Sequence, residues 1–434
     1  GVAAARSLGI RVLVTDHHLP GPVLPAADGI VNPNRPGDGF PSKHLAGVGV
    51  AFYLAAALRA ELRRRGWLGD RGLAEPNLAA LLDLVALGTV ADVVPLDHNN
   101  RVLVAQGLAR IRAGLGSPGV RALAQVAGRD PARLVAADLG YALAPRLNAA
   151  GRLQDMSLGI ACLLADDPAE ALRHARALDA LNRERRALEA DMHAQALEAV
   201  RALELDGEAG LPAGLCLYEP GWHPGVVGIL ASRIKDRLHR PVFAFAAGAE
   251  GDLRGSGRSV PGLHLRDSLE AIEVGSPGVL TRFGGHAMAA GVTVPEAGLA
   301  RFAEAFEREV AARLAPEALA GVVLTDGPLA AGEIDLQVAE ALRAGGPWGQ
   351  GFPEPLFDGE FEVVDQRVFA ERHRRLTLRV PNADRVVEAI AWNALEQDWP
   401  GPGARVRLAY RLDLNDWQGQ RSVRLVVEEV GPPV

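Results

Sequence analysis

Lysine is almost missing from this sequence: it occurs at Lys43 and Lys235 alone, so arginine carries nearly all the positive charge. Cysteine is as scarce. The two present, Cys162 and Cys216, are far apart and lack metal-ligand spacing, which excludes a disulfide scaffold and a zinc finger and fits a reducing compartment. Long apolar runs are absent too. The longest, Leu45 to Leu58, is too short to span a bilayer and runs into Arg59, Glu61 and Arg63. Signal-peptide pattern, internal repeats and low-complexity tracts are all missing, and the expectation is a cytoplasmic protein with no membrane attachment.

What is present describes a folded chain of several domains. Apolar residues make up 48% and charged residues 23%, which argues against extended disorder. A length of 434 residues exceeds what one core usually supports, so two or three domains are expected. The net charge of −7 does not advertise nucleic-acid binding and does not exclude it. Phosphate recognition needs only a local basic groove, and acidic metal-binding groups lower the total. Arginine suits bidentate phosphate contact; a GC-rich genome accounts equally for the arginine, alanine and glycine.

The hydrophobic pattern orders the chain. Residues Gly1 to Leu8 read as the tail of a helix feeding a strand, so the sequence is expected to begin inside a βα unit. Ile10 to Val14 and Gly29 to Asn32 fit buried parallel strands. Helical patterns follow over Leu45 to Arg65, Leu78 to Leu87 and Asn100 to Ala113, and the alternation implies an α/β domain reaching about residue 165. Asp167-Pro168-Ala169-Glu170 opens a helix as cap, first turn and acidic third position. It continues without Pro or Gly to about Leu205, with Leu178, Leu181, Leu188, Met192, Ala196, Val200 and Leu203 on one stripe. A boundary at Asp206-Gly207 introduces a second α/β module: strand Leu215 to Tyr218, helix Val226 to Leu238, strand Val242 to Ala246 and a closing helix Leu299 to Leu314. After about Gly321 five strand-like runs (Phe357 to Phe369, Arg374 to Val380, Val386 to Trp392, Val406 to Leu414, Ser422 to Val427) suggest a small barrel of OB type.

Two short segments carry chemistry. Val14-Thr15-Asp16-His17-His18 stands at the carboxyl end of the first strand, where open parallel sheets build their sites. Imidazole with carboxylate suits Mn²⁺, and a second imidazole can hydrogen-bond a phosphoryl oxygen. The bare triplet also arises readily by chance. In Gly88-Thr89-Val90-Ala91-Asp92-Val93-Val94-Pro95-Leu96 a lone carboxylate lies between apolar residues, which calls for a cation or several donors; a helix-terminal cap is the plain alternative.

Together these segments resemble the third and fourth motifs of the DHH phosphoesterase superfamily. The likeness runs on through Leu45-Ala46-Gly47-Val48-Gly49-Val50-Ala51, Pro145-Arg146-Leu147-Asn148-Ala149-Ala150-Gly151-Arg152, Gly221-Trp222-His223-Pro224-Gly225-Val226-Val227-Gly228-Ile229, Gly255-Ser256-Gly257-Arg258-Ser259, Arg282-Phe283-Gly284-Gly285-His286 and Gly346-Pro347-Trp348-Gly349-Gln350. In that order they resemble the RecJ-type, single-strand-specific exonucleases. The resemblance implies four parts: an incomplete DHH domain over 1–165, a connecting helix over 166–206, a DHH-associated domain over 207–318 and an OB domain over 319–434. It implies 5′→3′ hydrolysis of single-stranded DNA to 5′-mononucleotides with two Mn²⁺ (or Mg²⁺) ions, in DNA repair and recombination. His17 and Asp92 become metal ligands, His18 faces the scissile phosphate, and Asp16 steadies the neighbouring imidazole. Ser256 and Arg258 become binders of a terminal 5′-phosphate, with Gly285 and His286 contacting substrate and Arg146, Asn148 and Arg152 along the DNA path.

The resemblance also sets an expectation of incompleteness. The family's first motif, Asp-x-Asp-x-Asp-Gly, and its second, a strand ending in Asp, occur nowhere in the sequence. The chain therefore keeps about half of the metal ligands and is expected to be inactive alone. Arg372, Arg374, Arg375 and Arg379, with Trp348, Phe352, Phe357, Phe369, Trp392 and Trp417, suit single-strand binding by charge and stacking, several aromatics being core. A narrow cleft flanked by the long helix would admit one strand. The expected partners are single-stranded DNA, a single-strand-binding protein and a helicase, with the protein itself a monomer. The competing readings are a DHH enzyme for small nucleotides, which leaves the OB-like part without a purpose, and a non-catalytic nucleic-acid-binding relative, which the intact Asp16-His17-His18 opposes.

Overall fold

The computed structural model describes residues 1–206, 211–248, 251–394, 399–417 and 420–433. Two compact units emerge. One comprises 1–146, 160–176 and 323–434, the other 147–159 and 177–322. The boundary expected at Asp206-Gly207 runs into residues 207–210, outside the described residues. Among the described residues no helix is long and apolar enough to cross a membrane.

In the first unit, β1 (Leu13–Thr15) and β2 (Gly29–Val31) pair in parallel, Leu13 opposite Gly29 and Thr15 opposite Val31. Asp16 N donates to Val31 O at 3.0 Å, so Asp16, His17 and His18 leave the carboxyl end of β1 on a fixed path. The strand begins at Leu13, later than the pattern suggested, and Leu13 is 59% exposed rather than buried. Gly9 at φ +75° turns the chain out of the preceding helix, and Val12 N bonds the Asp28 carboxylate at 2.8 Å instead of a ladder carbonyl. Among the described residues only β2 pairs with β1.

Helices Gly47–Arg64, Leu82–Ala91 and His98–Arg112 follow. The middle one is largely apolar on every side, as a buried helix must be: Val85, Ala86 and Leu87 are sealed from solvent, and the buried Asp83 accepts from Ser117 N at 2.6 Å. Gly107 lets it pack: a Cβ there would stand 2.2 Å from Leu82 O and 2.4 Å from Ala86 Cβ. Asp97 caps the third helix, accepting from Asn100 N at 2.9 Å.

The long helix is Pro168–Asp206, 39 residues, opened by Asp167 as the sequence indicated. In the second unit its Met192, Ala196 and Val200 cover a five-stranded sheet of β3 (Leu215–Tyr218), β4 (Val242–Ala247), β5 (Asp252–Arg258), β6 (Arg282–Gly285) and β7 (Ala289–Pro295), in the order β3-β4-β5-β7-β6. Strand alternation splits β4 between two cores: Val242, Ala244 and Ala246 meet the long helix and helix Val227–Leu238, while Phe243 and Phe245 meet Phe302 and Phe306 of helix Leu299–Arg313.

Gly255 to Arg258, a stretch whose residues favour turns locally, lies in strand β5, paired on both edges. Its glycines answer to the core. A Cβ at Gly255 would lie 2.5 Å from Phe245 Cε1, and one at Gly257 2.5 Å from Phe243 Cε1. We therefore expect Gly257→Ala to lower stability by about 1–3 kcal/mol, the usual cost of overpacking. A denaturant midpoint equal to wild type would mean that Phe243 can step aside.

The last strands, β8 (Phe357–Phe369), β9 (His373–Arg379), β10 (Val386–Ala391), β11 (Arg405–Trp417) and β12 (Gln420–Pro433), close a barrel in the order β10-β12-β11-β8-β9. β10 runs parallel to β12 and the other pairs are antiparallel, the connectivity of an OB-fold. Inward residues such as Phe361, Val363, Leu378, Leu408 and Tyr410 fill it, and helix Leu336–Gly345, not foreseen from sequence, adds Ala339.

Candidate metal centre and phosphate cradle

His17 and Asp92 come from distant parts of the chain and meet. His17 Nε2 stands 3.3 Å from Asp92 Oδ2. Neighbouring donors around an octahedral cation with bonds near ~2.1 Å stand about 3 Å apart, so the pair fits two adjacent positions of one divalent ion. Asp92 is the C-cap of helix Leu82–Ala91, where the helix dipole disfavours an anion; a cation there offsets that penalty. Among the described residues no cluster of three or more His, Cys, Asp or Glu is placed to hold a metal. Two donors form one edge of a shell and no more.

The turn before this edge is braced from both sides. The Asp16 carboxylate accepts from His17 N at 2.7 Å, His18 N at 3.1 Å and His18 Nδ1 at 2.8 Å. Burial pushes the Asp16 carboxyl upward, but these bonds outweigh it and hold it below the ordinary carboxylate range. The stabilisation it supplies is complete above the unfolded-state pKa and disappears as pH falls through the lower folded-state value. His18, 64% exposed, keeps Nε2 for an outside partner.

Two residues that sequence reasoning missed hold the opposite side. Asn32 Nδ2 donates to His18 O at 2.8 Å, and Asn34 Nδ2 donates to His17 O at 2.7 Å and Lys43 O at 3.0 Å. Asn34 N in turn donates to Asn32 Oδ1 at 2.8 Å. The Asn-Pro-Asn run after β2 was the available signal. Asn34→Ala is expected to cost about 1–3 kcal/mol by orphaning part-buried carbonyls, read as a lower unfolding midpoint; no change would mean that water takes over both bonds.

Val93, directly after Asp92, is also new. Its φ is +57°, a conformation that a β-branched residue keeps only where its surroundings enforce it, at roughly 1–3 kcal/mol.

The second unit carries a separate basic group. Arg258 Nη1 donates to Ser256 Oγ at 3.1 Å and to Gly257 O at 2.8 Å. Burial first, and then the positive charge of Arg152, draw the Arg258 pKa down, an environment that a bound anion relieves. The backbone N–H groups of Gly255 and Gly257 are committed to a strand laddered on both sides. The cradle is therefore made of side chains. Gly228 leaves room over it: a Cβ there would stand 2.9 Å from Ser256 Oγ and 3.0 Å from Arg258 Nη2. Gly285 ends β6 at φ +144°, where a Cβ would meet Ala289 O at 2.5 Å. The exposed His286 follows it at the hairpin tip, and Arg258 lies opposite Ala289 in the ladder, so His286 and Arg258 share one end of the sheet. Arg152 Nη1 donates to Gly225 O at 3.1 Å. Asn148 is exposed on helix Ala144–Leu153, and Arg146, in the first unit, donates to Ala142 O at 2.6 Å.

On the barrel the arginine set divides. Arg375 pairs with Glu388, and Arg379 with Glu362 at 3.3 Å. Arg374 bonds Gln366 Oε1 at 3.0 Å, and Arg372 Nε donates to His373 Nε2 at 3.2 Å. Phe357 is core, whereas Trp392 is 49% exposed beside Phe369 and His373. The Trp417 side chain lies outside the described residues.

Comparison with known proteins covers all these parts. A model of the DHH family N-terminal domain matches residues 1–89, a DHHA1 domain model residues 212–312 and a RecJ OB domain model residues 325–429. The single-stranded-DNA-specific exonuclease RecJ of Salmonella typhimurium is 54% identical over 433 residues, which is 100% of this chain and 75% of that protein. The protein of the same description from Escherichia coli is also 54% identical, with the same coverage. The crystal structure of RecJ in complex with Mn²⁺ from Thermus thermophilus superposes with a TM-score of 0.79 at 34% identity. That match takes in 100% of this chain and 60% of the solved one, so the chain spans less than two thirds of that structure's length.

Proposed function

The chain belongs to the RecJ family of single-stranded-DNA-specific exonucleases, and from that premise we propose that it carries the DHH-motif part of a divalent-metal centre for hydrolysing single-stranded DNA. The observation that carries this reading is the 3.3 Å approach of His17 Nε2 to Asp92 Oδ2. Solved RecJ structures from Thermus thermophilus hold Mn²⁺ and Mg²⁺, and His17 and Asp92 are the residues that would hold such an ion here. A divalent ion so held supplies charge neutralisation at the phosphate and a more acidic water.

The remaining steps belong to side chains of this chain. His18, with Nδ1 tied to Asp16, presents Nε2 to a phosphoryl oxygen of the scissile bond. Asp16 holds that ring in one tautomer and orientation. Ser256 and Arg258 bind the terminal 5′-phosphate and so set the direction of digestion as 5′→3′, releasing 5′-mononucleotides. Gly285 and His286 approach the same end of the strand, and Arg146, Asn148 and Arg152 contact its backbone. The barrel binds DNA further along. The four-part division at 165, 206 and 318, service in DNA repair and recombination, a cytoplasmic location, action as a monomer, and cooperation with a single-strand-binding protein and a helicase belong to the same proposal.

Residues 1–434 fused behind the part of Escherichia coli RecJ that the match leaves uncovered provide the test. The fusion should degrade a long single-stranded oligonucleotide in Mn²⁺ and spare blunt duplex. Faster turnover of a dinucleotide than of the long strand would favour the small-nucleotide reading instead.

A further inference from the structure

A turn more than two hundred residues beyond Asp92, within the residues matched by the OB model, packs on the chain just after that residue. The turn closes on itself: Gly349 N donates to Phe352 O at 2.9 Å and Phe352 N to Gly349 O at 3.0 Å. It rests on the segment that leaves Asp92. Leu96 N donates to Gln350 O at 2.6 Å, and since Leu96 is 4% exposed this buried donor would otherwise have no partner. The approach is close enough to need glycine. A Cβ at Gly349 would stand 2.8 Å from Leu96 Cδ1, and one at Gly351 3.2 Å from Pro95 Cβ.

Aromatic contacts anchor the turn. Phe352 stacks on Trp348 with centroids 4.9 Å apart, and the Arg101 guanidinium lies 3.7 Å from the Phe352 centroid. Arg101 Nε is buried without a hydrogen-bond partner, so the ring face is what its charge meets. Trp348 Nε1 donates to Leu342 O at 3.0 Å, tying the turn to helix Leu336–Gly345. Between the turn and Asp92 stands Val93, 65% exposed yet left-handed. Its own side chain packs too little to enforce that backbone. The residues after it are fixed, Leu96 by Gln350 and Pro95 by Asn100 Nδ2 donating to its carbonyl at 2.9 Å.

We propose that the turn from Trp348 to Phe352, anchored by Arg101, is a positioning element that aims Asp92 at His17, so the OB segment is a structural part of the metal centre. This rests on the reading of His17 and Asp92 as a functional pair. In the absence of metal and at fixed pH, the side-chain ¹⁵N signal of His17 reports its contact with Asp92, and Asp92→Asn supplies the reference for a lost contact. Arg101→Met and Phe352→Leu should each move the His17 signal most of the way to that reference while leaving His18 where it is. Arg101→Lys and Phe352→Trp, which keep the cation and the ring, should restore it. Gly349→Ala, which presses on Leu96 from the other side, is a third variant should Phe352→Leu fail to fold. A His17 signal at the wild-type position in the folded variants, with Asp92→Asn displaced, overturns the positioning role. If Asp92→Asn itself leaves His17 unmoved, the pairing is wrong and the proposal falls with it, a distinguishable failure.

Discussion

Given Mn²⁺ and a 5′-labelled single-stranded oligonucleotide, a polypeptide of residues 1–434 alone should release no mononucleotides above the uncatalysed background. The expectation follows from the donor set. His17 and Asp92 offer one nitrogen and one carboxylate, and no third His, Cys, Asp or Glu joins them among the described residues. One edge of a coordination shell holds a divalent ion weakly, and a pair of ions that stabilises both attacking and leaving oxygens needs bridging carboxylates as well. Joined to the uncovered part of the Escherichia coli relative, the same residues should support Mn²⁺-dependent release. In that fusion His17→Ala or Asp92→Asn should lower kcat by about a thousandfold or more, since removal of even one transition-state donor costs on the order of 10²–10³. Turnover by the unfused polypeptide would refute the donor argument; an Asp92→Asn fusion as active as its parent would remove Asp92 from the centre.

The second large effect needs no metal. In EDTA, fluorescence anisotropy should show an oligonucleotide with a 5′-phosphate binding at least about tenfold more tightly than its 5′-hydroxyl counterpart, because hydrogen bonds to a charged partner contribute about 1.5–3 kcal/mol and each 1.4 kcal/mol is tenfold in affinity. Arg258→Ala should erase that difference and leave the hydroxyl strand's affinity little changed. Arg258→Lys should recover only part of it, for an ammonium keeps the charge and loses the fork that spans Ser256 and the phosphate. If the preference survives in Arg258→Ala, the terminal phosphate binds elsewhere.

The elements easiest to read were those whose own residues decide their state. Leu215–Tyr218 and Phe357–Phe369 alternate or run apolar between turn residues, and the structure has both strands with those bounds. The long helix announced itself through Asp167 and an unbroken stripe. β5 was not legible for a corresponding reason. Gly and Ser favour turns locally, and what makes them strand residues here is the pair of rings at Phe243 and Phe245 on the neighbouring strand.

At the site, motif order brought His17 and Asp92 to attention together, and the geometry adds their contact. What surrounds them was not legible. Asn32 and Asn34 act on backbone carbonyls, so the short Asn-Pro-Asn run is their one trace in the sequence and does not say what it braces. Val93 is β-branched and argues locally against the left-handed backbone it adopts. The grip of Gln350 on Leu96 joins segments whose relation only the folded chain reveals.

Gly107 stands on the same helix as Arg101, and the helix ending in Asp92 lies against it at a point where no side chain fits. A random-mutagenesis screen of the fusion for loss of nuclease function should therefore return position 107. Such alleles should be conditional, tolerated in the cold and lost on warming, and Ala86→Gly should not suppress them, because the clash with the Leu82 carbonyl oxygen remains.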